Sequence, residues 1–244
     1  MRLRLTLEYD GTGFHGWAAQ PGLRTVEGEL RHALAELYGA FDSLAVAGRT
    51  DTGVHALGQV TSVDVEGGPP LTRTAEALNT VLPEDVSVMA VAEAAPDFHA
   101  RHSAWSRAYR YRIFRRRTPS PFEARRSWWV PRPLDVAKLQ RAAGLLLGEH
   151  DFRAFTPTET HHEVFRREVL AARWVERDDH VDFEVEADSF LRHMVRTLVG
   201  TMVDLDPERL PALLEGADRG QAGRTAPPWG LYLERVSYPD TSGV

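Results

Sequence analysis

Two hydrophobic periodicities alternate along this chain, and the order in which they alternate is used twice. Leu3, Leu5, Leu7 and Tyr9 are interleaved with Arg2, Arg4, Thr6 and Glu8, the period-two pattern of a half-buried strand. Asp10-Gly11 ends it. From Thr25, a predicted N-cap, Val26, Leu30, Ala33, Leu34 and Leu37 recur at helical spacing until Gly39. Strand patterns over 43–47 and 58–66 flank a polar loop at 48–57, a helix is expected over 72–81 with Pro83 closing it, and a strand over 86–93. The first half therefore reads β-α-β-β-α-β.

The second half repeats that order. A strand is expected at 107–115, followed by a helix capped by Asp135 that carries Val136, Leu139, Ala143, Leu146 and Leu147 up to Gly148. Strands at 163–176 and 180–187 flank an Asp178-Asp179 turn. A helix from Ser189 is expected to bury Phe190, Met194, Leu198 and Met202, with a short helix near 207–216 and a closing strand at 231–236. The repeated order predicts an α+β fold of two ferredoxin-like β-α-β-β-α-β halves, with helices on one side of an antiparallel sheet. The boundary is expected between Ser103 and Ser106, giving halves 1–104 and 105–244.

The residues that are missing exclude several classes. With no cysteine, a disulfide scaffold, a Cys-ligated zinc module, an iron–sulfur protein, a cysteine nucleophile and a zinc base deaminase all fall away. The alternating start does not read as a signal peptide, and no run of about eighteen apolar residues predicts a membrane span, so the cytoplasm is the expected compartment. Lys138 is the only lysine and lies within a helical pattern, which makes Schiff-base chemistry a poor fit. The net charge of −6 argues against a general nucleic-acid coat protein. Yet residues 101–132 hold ten arginines against one acid, Glu123, a local +9 that leaves −15 for the rest. Trp105, Tyr109, Tyr111, Phe114, Phe122, Trp128 and Trp129 are interleaved with them, and arginine with aromatic is the pairing that grips phosphate and stacks on unpaired bases. A solvated strand face over a hydrophobic core would carry a similar composition.

Three motifs compete for the chemistry. Gly11-Thr12-Gly13-Phe14-His15-Gly16 matches a dinucleotide fingerprint, but Pro21-Gly22 follows too soon for a helix to start on the loop. Its glycines fit a tight, mobile loop better. His99, His102, His150, His161, His162 and His193 form no H-E-x-x-H, and no metal is expected. The third, Gly48-Arg49-Thr50-Asp51-Thr52-Gly53-Val54-His55-Ala56, places an acid between two glycines on a loop joining two apolar strands. Asp51 there is either an Asx-turn cap or an exposed carboxylate kept ionised by nearby arginine, suited to a developing positive sugar centre.

That third segment resembles the catalytic loop of the tRNA pseudouridine synthase A family. Tyr9-Asp10-Gly11-Thr12, Gly16-Trp17, the stretch from Asn79 to Pro83, Asp97-Phe98-His99-Ala100-Arg101, Arg110-Tyr111, His193-Met194-Val195-Arg196, Ala226-Pro227 and Gly230-Leu231-Tyr232-Leu233 follow in the family's order over nearly the whole chain. The resemblance implies a pseudouridine synthase fold whose two sheets join across a central RNA-binding cleft. It implies a homodimer that binds tRNA and isomerises uridines 38, 39 and 40 of the anticodon arm to pseudouridine without metal or cofactor. It makes Asp51 the nucleophile or base, Arg196 its pairing arginine, Arg49 the residue that assists base flipping, and Tyr109 the tyrosine that stacks on the uracil. Thr52, Arg192 and Ala18-Ala19 depart from the family's usual residues without removing a group the chemistry needs. Two rivals differ in kind: a non-catalytic RNA-binding protein, indifferent to Asp51→Asn, and a cofactor-free glycoside or nucleoside hydrolase pairing Asp51 with a second carboxylate such as Asp10 or Glu8, which would release free base.

Overall fold

The computed structural model describes residues 1–160 and 162–239; His161, one of the histidines weighed above, lies outside them. The described residues form two compact units, Met1–Trp105 with 233–239, and Ser106–Tyr232. Both combine helices with a sheet, so the α+β expectation holds.

The first unit follows the expected order: β1 (Arg2–Tyr9), α1 (Val26–Tyr38), β2 (Phe41–Val46), β3 (His55–Val65), α2 (Leu71–Val81) and β4 (Val86–Glu93). All pairings among these strands are antiparallel, and their spatial order is β4-β1-β3-β2, the split arrangement of a ferredoxin-like module. Leu3, Leu5 and Leu7 share the core with Leu30, Leu34 and Leu78, all without exposed surface; each is worth about 1.5–3 kcal/mol of burial. Thr25 caps α1 by accepting from the Gly28 amide at 3.2 Å. Strand β3 begins three residues before the expected Gly58. That glycine does not mark a loop: a Cβ there would lie 2.5 Å from the Glu234 carbonyl oxygen, so its bareness admits a neighbouring backbone. The β1–β3 register slips between Leu7, opposite Gln59, and Tyr9, opposite Ala56. This bulge lies at the end of the sheet that carries the Arg49–Asp51 loop.

The return of the chain's end to this unit has no signature in local pattern. Trp105 N–H donates to the Ser237 carbonyl at 2.9 Å, Tyr238 Oη donates to the Ala100 carbonyl at 2.7 Å, and the Arg4 guanidinium lies 4.6 Å from the Tyr238 ring centre.

The second unit contains β5 (Ser106–Phe114), β6 (Trp128–Trp129), α3 (Val136–Gly144), β7 (Gly148–Asp151), β8 (Arg166–Arg177), β9 (His180–Ala187), α4 (Met194–Asp204), α5 (Leu210–Leu214) and the first two residues of β10 (Leu231–Ser237). Its sheet runs β5-β9-β8-β7 with antiparallel pairs, and β6 pairs parallel to β5. Four expectations are corrected. Helix α3 stops at Gly144 rather than Gly148. Its expected last turn is a turn at Leu145 and Leu146, after which Gly148, at φ +93°, opens β7, which pairs with β8. Strand β8 starts at Arg166, not at residue 163. Helix α4 starts at Met194, not Ser189, because His193 takes a left-handed φ of 62° that a right-handed helix excludes. Nor is α4 one-sided: every residue from Met194 to Val203 except Arg196 is buried. Among the described residues, no helix is long and apolar enough to cross a membrane.

Candidate active site

The loop between β2 and β3 is braced from several directions. Tyr9 and Gln59 project from β1 and β3 beneath it, both buried. Tyr9 Oη shares a 2.8 Å hydrogen bond with Thr50 Oγ1, while Gln59 Nε2 donates to the Gly48 carbonyl at 2.7 Å and to Tyr9 Oη at 3.3 Å. Burial pushes the Tyr9 phenol up to about 12, so it remains a neutral hydroxyl throughout the physiological range. The turn closes on itself, Val54 N–H donating to the Asp51 carbonyl at 3.1 Å, and Gly53 supplies the positive φ of +78°.

The glycine segment before α1 packs against this loop, which explains its composition better than a nucleotide does. It forms one short 3-10 turn at Gly11–Gly13, and no α-helix starts there to receive a pyrophosphate. Gly11 N–H donates to His55 Nδ1 at 3.0 Å, Trp17 N–H to the Thr50 carbonyl at 3.0 Å, and Gly53 N–H to the Phe14 carbonyl at 3.3 Å. A Cβ on Gly11 would lie 2.0 Å from the Val54 carbonyl oxygen. Phe14 and Trp17 are buried beneath. Thr50 is thus locked inward, Arg49 is left exposed, and Asp51 is half-buried between them and the solvent.

The second unit holds the other two expected residues. Tyr109 on β5 is 9 % exposed and meets the Phe190 ring edge-on at 5.0 Å; Phe190, expected on a helix face, instead packs this ring. Arg196 is the half-exposed position of the otherwise buried stretch of α4. Its Nε donates to the Ala226 carbonyl at 2.9 Å while its own carbonyl accepts from the Ala226 amide at 3.0 Å. The Ala226 segment lies tight on the helix, because Cβ atoms on Gly200 and Gly223 would meet the Arg224 carbonyl oxygen at 2.0 Å and Thr201 Cα at 2.7 Å. Tyr111, two residues along β5, is fully buried and donates to the Pro227 carbonyl at 2.7 Å; burial holds its phenol well above the usual range. Arg49 and Asp51 are therefore brought onto one loop of the first unit, Tyr109 and Arg196 onto β5 and α4 of the second.

Several arginines of 101–132 are committed to structure. Arg110 and Arg112 approach buried Asp182 at 3.7 and 4.0 Å, Arg115 pairs with Glu176 at 3.0 Å, and Arg132 donates to the Val203 carbonyl at 2.9 Å. Arg101, Arg116, Arg117, Arg125 and Arg126 are exposed. Among the described residues, no group of three His, Asp or Glu side chains could hold a metal ion. The His99 and His102 rings lie 4.3 Å apart, tilted by 49°, and burial with the neighbouring His102 holds His99 below its ordinary range.

The profile of the family described as tRNA pseudouridine synthase matches residues 142–239. The tRNA pseudouridine synthase A of Thermus thermophilus is 47 % identical, with 98 % of this chain and 97 % of that protein covered. That of Moorella thermoacetica is 45 % identical over 97 % and 99 %, and that of Myxococcus xanthus 44 % identical over 98 % and 92 %. The chain belongs to the tRNA pseudouridine synthase A family.

The departures noted in the sequence lie at or near the surface: Thr52, Arg192 and Ala19 are exposed and Ala18 is half-buried. Membership also directs attention to residues that the motifs left without a role. Gln59 is a fully buried amide in phase with core-facing Thr61 and Val63. A polar side chain at a core position of an apolar strand was the signal that marked it for a structural duty. Ala226, quoted only as part of a motif, clamps Arg196 through its backbone. Side-chain chemistry could not announce that contact.

Proposed function

We propose that this protein isomerises uridine to pseudouridine at positions 38, 39 and 40 of the anticodon arm of tRNA, as a cytoplasmic homodimer needing no metal or cofactor. The observation that carries the reading is the braced Gly48–Gly53 loop, which holds Asp51 half-exposed between Arg49 and two glycines in a chain of this family. Asp51 either adds to ribose C1′ or removes the 2′ proton to give a glycal. In both routes the N1–C1′ bond breaks, the freed uracil rotates and C5 bonds to C1′, displacing the Asp51 carboxylate in the first route and with C2′ regaining its proton in the second; the proton on C5 is then lost while N1 gains one. Tyr109 stacks on the uracil and Arg49 assists its extrusion, a step that any enzyme acting on a stacked base requires. Arg196 is the arginine that pairs with the Asp51 carboxylate.

Incubating the protein with tRNA tritiated at uridine C5 tests the reading: release of tritium, with pseudouridine mapped to 38–40, is the expected result. Tight tRNA binding without release would instead leave an RNA-binding protein. Arg196→Ala is expected to lower the single-turnover rate by about 10²-fold or more and tRNA affinity by less than about threefold. Equal losses in the two assays would make Arg196 an RNA-binding residue. Affinity for tRNA is expected to fall steeply with salt, since each phosphate contact adds about 0.7–0.9 to the slope of log K against log salt. A flat response in filter binding between low and moderate salt would remove the exposed arginines of 101–132 from the account.

A further inference from the structure

The second unit contains a hollow of about 390 Å³ whose walls include Phe114, Trp128, Trp129 and Trp229. It lies at the end of β5 where Ile113 pairs with Trp128 and Phe114 with Trp129. Phe114 lies five positions along β5 from Tyr109, about 16 Å in an extended strand, so this is not the place of the reacting uridine. Its volume falls at the lower end of the range that small ligands occupy, roughly 300–1,000 Å³.

The walls are fixed before anything binds. Trp129 is 41 % exposed, yet its Nε1 donates to the Arg116 carbonyl at 2.9 Å, which sets the plane of the indole. Arg125 lies 5.2 Å over the Trp229 ring from a backbone at φ 62°, a conformation that L residues seldom adopt and that gathers at ligand sites. Glu123, the one acid of this wall, is engaged, its Oε2 3.0 Å from His180 Nε2. The loop leading into the hollow carries exposed Arg116, Arg117, Arg125 and Arg126, together with Phe122, 88 % exposed.

We propose that this hollow holds one unpaired base of the tRNA at a nucleotide other than the uridine being isomerised. Indole faces stack on any base, and the surrounding arginines meet the phosphates on either side of it. Charge favours this occupant over a peptide: Arg125 in the wall and the exposed arginines of the adjoining loop, beside aromatic walls, suit a polyanion that carries planar rings. The inference rests on tRNA being the substrate, as proposed above.

Trp129→Ala and Trp129→Phe, compared with wild type in filter binding of an unmodified tRNA transcript across a salt series, provide the test. Trp129→Ala is expected to weaken binding about tenfold at every salt concentration with an unchanged salt slope, because a stacking partner and no phosphate contact is lost. Trp129→Phe keeps an aromatic face and is expected to restore most of the affinity, which a merely folding-related loss would not do. Wild-type affinity in Trp129→Ala overturns the inference and leaves the hollow to a protein or small-molecule partner. A changed salt slope, or no recovery with Phe, overturns it as well. Tritium release by the wild type in the same preparation reads uridine isomerisation separately, so the two readings fail by different results.

Discussion

Asp51→Asn abolishes tritium release from C5-labelled tRNA, with a single-turnover rate lowered by about 10⁴-fold or more, and leaves the tRNA dissociation constant within about threefold. The amide matches the carboxylate in shape, so the braced loop has no reason to move. It can neither form a stable bond to ribose C1′ nor take the 2′ proton, so both routes close together. Binding is spared because an anion facing a polyanionic substrate contributes no attraction to it. Release persisting above about one hundredth of the wild-type rate would mean that Asp51 is not the reacting group, whatever the family of the chain. Free uracil from the wild type without tritium release would point instead to hydrolysis, which leaves C5 untouched.

Gly11→Ala is expected to cost about 1–3 kcal/mol of stability and about 10²-fold in rate, from a residue with no functional group at all. The new Cβ would need the space of the Val54 carbonyl oxygen, 2.0 Å away, and neither backbone yields easily. The Gly11 amide holds His55 and the neighbouring residues hold Thr50 and Gly53, so the displacement passes directly to Asp51. Thermal unfolding and single-turnover kinetics measure the two effects. Gly144→Ala, where no heavy atom lies within 4 Å, is the control and is expected to hold or raise Tm. Full activity in Gly11→Ala would mean that the glycine segment is not what positions the loop.

Much of the fold is legible locally because the forces that set it are local. Strict alternation at Leu3, Leu5 and Leu7 demands a strand with one buried face, and Thr25 and Asp135 announce helix starts because each accepts from a backbone amide three residues on. Strand bounds at 86–93 and 180–187 agree with β4 and β9 to the residue. The loop carrying Asp51 is equally visible, as a run of polar and glycine residues between apolar strands.

Where the sequence misleads, a distant partner decides. Gly58 reads as the start of a strand, yet β3 begins at His55 and the Glu234 backbone lies against the glycine. Gln59 carries no role in any motif until its Nε2 is seen donating to Gly48 and Tyr9 within the core. Helix α4 reads as amphipathic from Ser189, whereas His193 breaks the backbone and packing on all sides buries the turns beyond it. Strand β7 is four residues long, with Glu149 and His150 among them, and exists because β8 offers an edge; a segment that short has too few side chains to declare itself. Residue types and their spacing thus determined the two-module α+β order, the absence of cysteine chemistry and the presence of an acid on a sharp loop. Tertiary structure alone decided what braces that acid and what pins Arg196, because both are held through backbone groups, which every residue carries and no sequence pattern distinguishes.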